Sequence, residues 1–157
     1  MKQTGIKVIT RNRKAGFDYF LEATYEAGMV LTGSEIKSIR ANQVNLSQGF
    51  VQEQQGELWL LNVHITPYEQ SGSYGYTEPI RPRKLLLHKR EIAQIITRSR
   101  ERGYTIVPTM LYLKNGRAKV EIALAKGKKH YDKRDEIAKR DSERELRQII
   151  KQGRYDE

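Results

Sequence analysis

The sequence contains no cysteine, which excludes disulfides, thiolate metal sites and cysteine nucleophiles. Nor does it contain a long apolar run. Leu85-Leu86-Leu87 is among its most apolar stretches, far short of the roughly 20 residues that span a bilayer. No opening succession of basic, apolar and small residues reads as a signal peptide, so the expected location is cytoplasmic. Acidic residues are scarce: 19 Asp and Glu stand against 29 Lys and Arg, a formal charge of +10. None precedes Asp18, so Lys2, Lys7, Arg11, Arg13 and Lys14 form a purely cationic arm. Such a surplus favours phosphate polymers or anionic surfaces as partners.

The motifs of common catalytic chemistry are absent as well. His64, His88 and His130 lack HExxH-like spacing, and Gly127-Lys128 lacks the spaced glycines and Ser/Thr of a nucleotide loop, so no metal site and no cofactor is expected. Glu22, Glu26 and Glu35 are oxygen donors of the type magnesium takes, but alternating strand carboxylates read as a solvent face.

What is present is a run of short strands. At 157 residues the chain fits one domain and an appendage. From Phe17 to Ala27 the odd positions are apolar, the pattern of a half-buried strand; Gly28 then permits a bend. Thr32 and Glu35 form a capping box that opens a short helix, with Ile36 and Ile39 on one side and Lys37 and Arg40 facing outward. Phe50 to Gln54 and Glu57 to Val63 read as a hairpin around Gln55-Gly56, with Trp59, Leu61 and Val63 on one face. Residues 69–76 are rich in Gly, Ser and Tyr and predict a surface loop in which Tyr74 and Tyr76 are ordinary filling. Leu85-Leu86-Leu87 leads into a helix from about His88 to Arg102, striped by Ile92, Ile95 and Ile96 and stopped by Gly103. Its arginines form a solvated face. Asn115-Gly116 predicts a type I′ turn between strands at about Thr105 to Lys114 and Arg117 to Ala125. These elements make a mainly β chain: a small closed antiparallel OB-like barrel with two or three short flanking helices.

Past Ala125 apolar residues nearly vanish. The expected organisation is a barrel with its basic arm over residues 1–125 and a basic tail over 126–157. Asp135 with Lys139, Glu136 with Arg140, and Glu143 with Arg147 are acid-before-base pairs at i,i+4, each worth about 0.2–0.5 kcal/mol to a helix. That sum is marginal for an isolated helix, so the tail is expected to be disordered when free and helical when docked. Lys126, Lys128, Lys129, Lys133 and Arg134 crowd the junction around Tyr131, combining counterion release with stacking on a base.

Several stretches together resemble the small protein B family of tmRNA-binding (SsrA-binding) proteins: Asn12-Arg13-Lys14-Ala15, Tyr19-Phe20-Leu21, Tyr25-Glu26-Ala27-Gly28, Leu31 through Arg40, Arg83-Lys84-Leu85-Leu86-Leu87, Leu124 through Lys129, and Asp132-Lys133-Arg134. The resemblance spans most of the chain. It implies an adaptor, not an enzyme, that grips the transfer-RNA-like domain of tmRNA, promotes its aminoacylation, and brings it to stalled ribosomes. Elongation factor Tu and alanyl-tRNA synthetase are implied as indirect partners through tmRNA, and the protein itself as a monomer. By matching positions, the RNA surface comprises Asn12, Arg13, Lys14, Glu26, Lys37, Leu86, Lys126, Lys128 and Lys129. The tail, through Tyr131, Asp132, Lys133, Arg134, Ile149 and Ile150, is implied to enter the empty messenger channel of the small ribosomal subunit, at the decoding centre. Tyr131 stands where other family members carry His. Two other readings stay open on composition: a general basic RNA-binding or ribosomal protein, and a magnesium-dependent RNA-processing enzyme.

Overall fold

The computed structural model describes residues 5–67, 78–101 and 103–128. The glycine-rich loop and the tail beyond Lys128 lie outside them. Nine strands and three helices are described: β1 (Ile6–Arg11), α1 (Arg13–Asp18), β2 (Tyr19–Met29), α2 (Gly33–Arg40), β3 (Val44–Asn45), β4 (Phe50–Gln54), β5 (Glu57–Leu61), β6 (His64–Ile65), β7 (Arg83–Leu86), α3 (Lys89–Ser99), β8 (Tyr104–Lys114) and β9 (Arg117–Gly127).

Turn chemistry sets the hairpins. Asn115 and Gly116 have φ of 51° and 80°, the left-handed pair that a type I′ turn requires; β8 and β9 pair on either side through Lys114 and Arg117. Gln55 and Gly56, at 54° and 79°, do the same for β4 and β5. Strands follow one another in the order β8, β4, β5, β7, β2, β9, and pairing of β9 back to β8 closes the ring. All described pairings are antiparallel. β1 adds to β8 at Met110–Lys114, while β4 meets the same strand at Ile106. The expected closed antiparallel barrel is therefore the observed architecture.

Inside the ring lie Leu58, Leu60, Leu85, Leu111, Val120, Ile122 and Leu124, joined by Ile39 of α2 and Ile95 of α3, all at 2% exposure or less. Burial of each such side chain stabilises the fold by about 1.5–3 kcal/mol. On β5 the core face is Leu58 and Leu60, with Trp59 and Leu61 half-buried opposite; Val63, past the strand end, turns into the core.

Four local expectations need correction. The alternating run does not start at Phe17: α1 occupies Arg13–Asp18 and leaves Phe17 74% exposed. Within β2, Leu21 pairs with Ala125 and Thr24 with Ala123, so β2 carries one extra residue there. This bulge breaks the phase and leaves Leu21 exposed. Gly28 is no bend: it sits in β2 opposite both Leu86 and Lys119. Leu85 and Leu86 belong to a strand, β7, inserted between β5 and β2, and α3 is shorter than expected, ending at Ser99.

A second bulge has a structural use. Pro108 pairs with Ile122 and Met110 with Glu121, which takes Thr109 out of step. Asn12 collects the carbonyls so displaced: its backbone N–H donates to Thr109 O at 2.8 Å and its Nδ2 to Pro108 O at 2.8 Å. Its Oδ1 accepts from the Ala15 N–H and caps α1. Asn12 thus clamps α1 to the barrel, with Ala15 packed on Val107 and Ala125.

Candidate nucleic-acid interface

Apart from Asn12 and Lys37, the described residues singled out from the sequence fall into two groups, one at each end of the β2–β9 ribbon. At the end where β2 starts and β9 finishes, Phe20 pairs with Lys126. Arg13 and Lys14 are exposed on the adjacent α1. Lys126 lies on β9 itself, its Nζ 5.7 Å from the Tyr104 ring centroid. Lys128 folds back, with Nζ 5.0 Å from the Phe20 ring and donating to Gly16 O at 3.2 Å. Both ammonium groups thus rest on aromatic faces within cation–π range. Lys129 and the tail residues Tyr131, Asp132, Lys133, Arg134, Ile149 and Ile150 lie outside the described residues.

At the other end, Glu26 and Leu86 meet. The strand pairing Gly28 with Leu86 sets Leu86, 51% exposed, beside the stretch of β2 that carries Glu26, and both line one cleft with Gly28, His88, Glu91 and Lys119. Eight residues of extended strand at about 3.3 Å each put this group on the order of 25 Å from Phe20. Asn12 belongs to neither exposed group: it is buried, and its polar atoms are engaged within the fold. Lys37 is exposed on α2.

Glu26 is not a bare solvent-facing carboxylate. Tyr112, only 6% exposed, donates its hydroxyl to Glu26 Oε2, and Lys114 Nζ lies 3.4 Å from both carboxylate oxygens. The Tyr112 hydrogen bond, against some desolvation and with help from Lys114 and Lys119, holds the Glu26 carboxyl below its ordinary value. Tyr112 in turn is pushed up by burial and by its bond to Glu26. The result is an ionised, aimed acceptor in a basic surface, suited to receive hydrogen bonds from base amino groups or ribose hydroxyls.

The family model described as SmpB protein matches residues 9–152 of this chain. The chain belongs to the SmpB family. It is 60% identical over 146 residues to the SsrA-binding protein of Roseiflexus sp. (strain RS-1), covering 93% of this chain and 92% of that relative. With the SsrA-binding protein of Halothermothrix orenii it shares 54% identity over 152 residues, 97% of each chain. A solved structure described as "tmRNA-SmpB: a journey to the center of the bacterial ribosome" matches with a TM-score of 0.65 and 45% identity, over 76% of this chain and 83% of that one.

Glu22, Glu26 and Glu35, the acids weighed as magnesium donors, are dispersed and engaged. Glu22 accepts from Arg98 and Tyr104, Glu26 from Tyr112 and Lys114, and Glu35 from Arg81 and Arg83. No cluster of three or more His, Cys, Asp or Glu able to hold a metal occurs among the described residues. No described helix is long and apolar enough to cross a membrane.

Sequence reasoning overlooked Tyr112 and the buried cluster at Glu35. Glu35 completes the capping box by accepting from Thr32 N–H at 2.9 Å, yet its side chain is only 2% exposed and faces two guanidinium groups. Arg83, fully buried, donates Nε to Glu35 at 2.8 Å, Nη1 to Val63 O at 2.6 Å and Nη2 to Pro79 O at 3.0 Å. A fully buried charge survives only when its donors are used in this way. The cluster fastens α2 to β7 and so fixes the strand that presents Leu86. The only signal available beforehand was that Arg81 and Arg83 flank a proline ahead of an apolar run.

Proposed function

We propose that this chain is a tmRNA-binding adaptor of bacterial trans-translation, not a catalyst. The observation that carries the reading is the convergence of Glu26 and Leu86 in one cleft of a cationic β-barrel whose sequence is that of the SmpB family. In this reading the barrel holds the transfer-RNA-like domain of tmRNA. Glu26 accepts from RNA donors, Leu86 supplies apolar contact, and Arg13, Lys14, Lys37, Lys126, Lys128 and Lys129 neutralise phosphates. Asn12 contributes by clamping α1, which carries Arg13 and Lys14.

Residues 1–125 form the RNA-binding unit in this reading, with β9 running on to Gly127, and residues 126–157 the tail. The tail becomes helical in the empty messenger channel of the ribosome, where Tyr131, Asp132, Lys133 and Arg134 meet the decoding region and Ile149 with Ile150 anchor the distal end. The protein acts as a cytoplasmic monomer, promotes aminoacylation of tmRNA by alanyl-tRNA synthetase and travels with elongation factor Tu through the shared RNA. Binding assays with tmRNA, ordinary transfer RNA and an unrelated hairpin at two salt concentrations test the reading. Preference for tmRNA at both is expected, and equal affinity for all three would reduce the protein to a general basic RNA binder.

A further inference from the structure

The end of α1 depends on a residue from the far end of the chain. A helix leaves its final carbonyls without partners inside it, and a basic side chain near that end often serves them. α1 has no basic residue in its last turn. Lys128, 112 positions beyond Gly16, takes that place: its Nζ donates to Gly16 O at 3.2 Å and its backbone N–H donates to Asp18 O at 3.0 Å. The same ammonium lies 5.0 Å from the centroid of the Phe20 ring, within cation–π range.

These contacts lie past the sheet. Tyr19 with Gly127 is the last pair of the β2–β9 ladder, so strand pairing does not require Lys128 to face α1. Gly127 has its N–H on Gly103 O at 3.4 Å, but a Cβ on it would meet nothing within 4 Å, so no packing there steers the chain onward. Lys126, on the other side, is placed by the sheet itself, opposite Phe20 on β2 and Tyr104 on β8. Past Gly127 the path is therefore set by Lys128, held by a helix end and a ring, and residues 129–157 follow directly.

We propose that Phe20 is a positioning residue for the tail: its ring and the Gly16 carbonyl seat Lys128, so that residues 129–157 start from a fixed point against α1. The proposal rests on the reading of the tail as the part that acts in the ribosome, and it names what aims that part. Seating does not consume the ammonium. It carries three donors, and with one on Gly16 O and one over the ring, a third is left for a phosphate. A lysine stem lying along a ring is ordinary cover of an apolar face; engagement of both the Gly16 and the Asp18 carbonyl is what makes this a latch.

The test uses the full chain and the shielding of protons held over an aromatic face, which moves their resonances upfield. In lysine-labelled wild type the Lys128 Cε protons, assigned by their loss in Lys128→Arg, should lie upfield of those of the exposed Lys7 and Lys14. Phe20→Leu, its folding checked by a thermal melt, should abolish that shift, and Phe20→Tyr should keep it. With tmRNA affinity unchanged, peptide tagging on stalled ribosomes should fall roughly two- to fivefold in Phe20→Leu, the occupancy lost with one exposed cation–π contact, and recover in Phe20→Tyr. A Lys128 signal level with Lys7 and Lys14 in wild type overturns the latch, whether or not Phe20→Leu folds. A lost shift with unaltered tagging overturns the positioning role and leaves the adaptor function standing. A fall in tmRNA affinity that matches the fall in tagging puts Phe20 in the RNA interface and overturns the positioning role too. Wild type that supports no tagging overturns the reading of the tail itself.

Discussion

Glu35 and Glu26 are both glutamates beside basic residues, nine positions apart, and they do opposite work. Glu35 is closed in. Two arginines and a backbone N–H use both of its oxygens, and its exposure is 2%, so nothing from outside can reach it. Glu26 is held from below by Tyr112 and from the side by Lys114, with its carboxylate still open to solvent. Saturation with internal donors makes a carboxylate structural; partial saturation leaves it aimed and ready for a ligand. Local sequence cannot tell the two apart, because the deciding partners are 46 and more residues away.

The sharpest way to break the comparison is to remove Glu35. Glu35→Ala leaves Arg83 buried without its counter-charge, and the expected loss of stability is about 3–5 kcal/mol, read by denaturant unfolding. The double variant Glu35→Ala/Arg83→Met should cost less than Glu35→Ala alone, since no orphaned charge remains. A double variant as unstable as the single would show that the cluster stabilises by more than charge compensation.

Asn12→Ala ranks next. It uncaps α1 and strips a donor from the Pro108 and Leu46 carbonyls, with an expected cost of about 1–3 kcal/mol. If RNA binding falls further than this loss of folding explains, α1 and its basic residues lie in the interface. Unaltered RNA affinity in folded protein would remove α1 from it.

Glu35 also sets the acid limb of stability. Burial raises its carboxyl, but hydrogen bonds from Arg81, Thr32 and Arg83 outweigh that, and the folded group sits below the ordinary 4.5. A depressed folded value means that the contribution is complete above the unfolded value and disappears as pH falls below it through the folded one. Stability of the wild type should therefore drop below about pH 4.5, with a shallower acid limb in Glu35→Gln. Equal slopes in the two proteins would place the acid sensitivity elsewhere.

How much of this was legible depended on range. Asn115-Gly116 and the Thr32–Glu35 capping box state their own geometry, because the atoms that fix each are within four residues. α1 has no such signature: of its six residues only Ala15 is buried, and the cap that starts it is held by the carbonyl of Pro108, 96 positions away. β7 was hidden for a related reason, since its first residue is a buried arginine whose partner lies on α2. The bulge in β2 was invisible because only pairing with β9 reveals the extra residue. Glu26 and Leu86 were named through family resemblance, whereas Tyr112 was missed because its role exists only once β8 and β2 are both in register with β9.

The smallest change is the most discriminating for Glu26. Tyr112→Phe keeps the ring in place and removes one hydroxyl, so folding should be perturbed by only about 1 kcal/mol. Glu26 then loses the strongest influence that holds its carboxyl down, and its value moves up. If RNA recognition needs the ionised form, wild-type binding weakens as pH falls through the depressed value, and in Tyr112→Phe the same weakening begins at higher pH. Glu26→Gln, which cannot titrate, should bind less tightly and lose that acid dependence. A Tyr112→Phe profile superimposable on wild type would mean that Glu26 acts through its shape or through Lys114, and that Tyr112 is merely a well-packed core tyrosine.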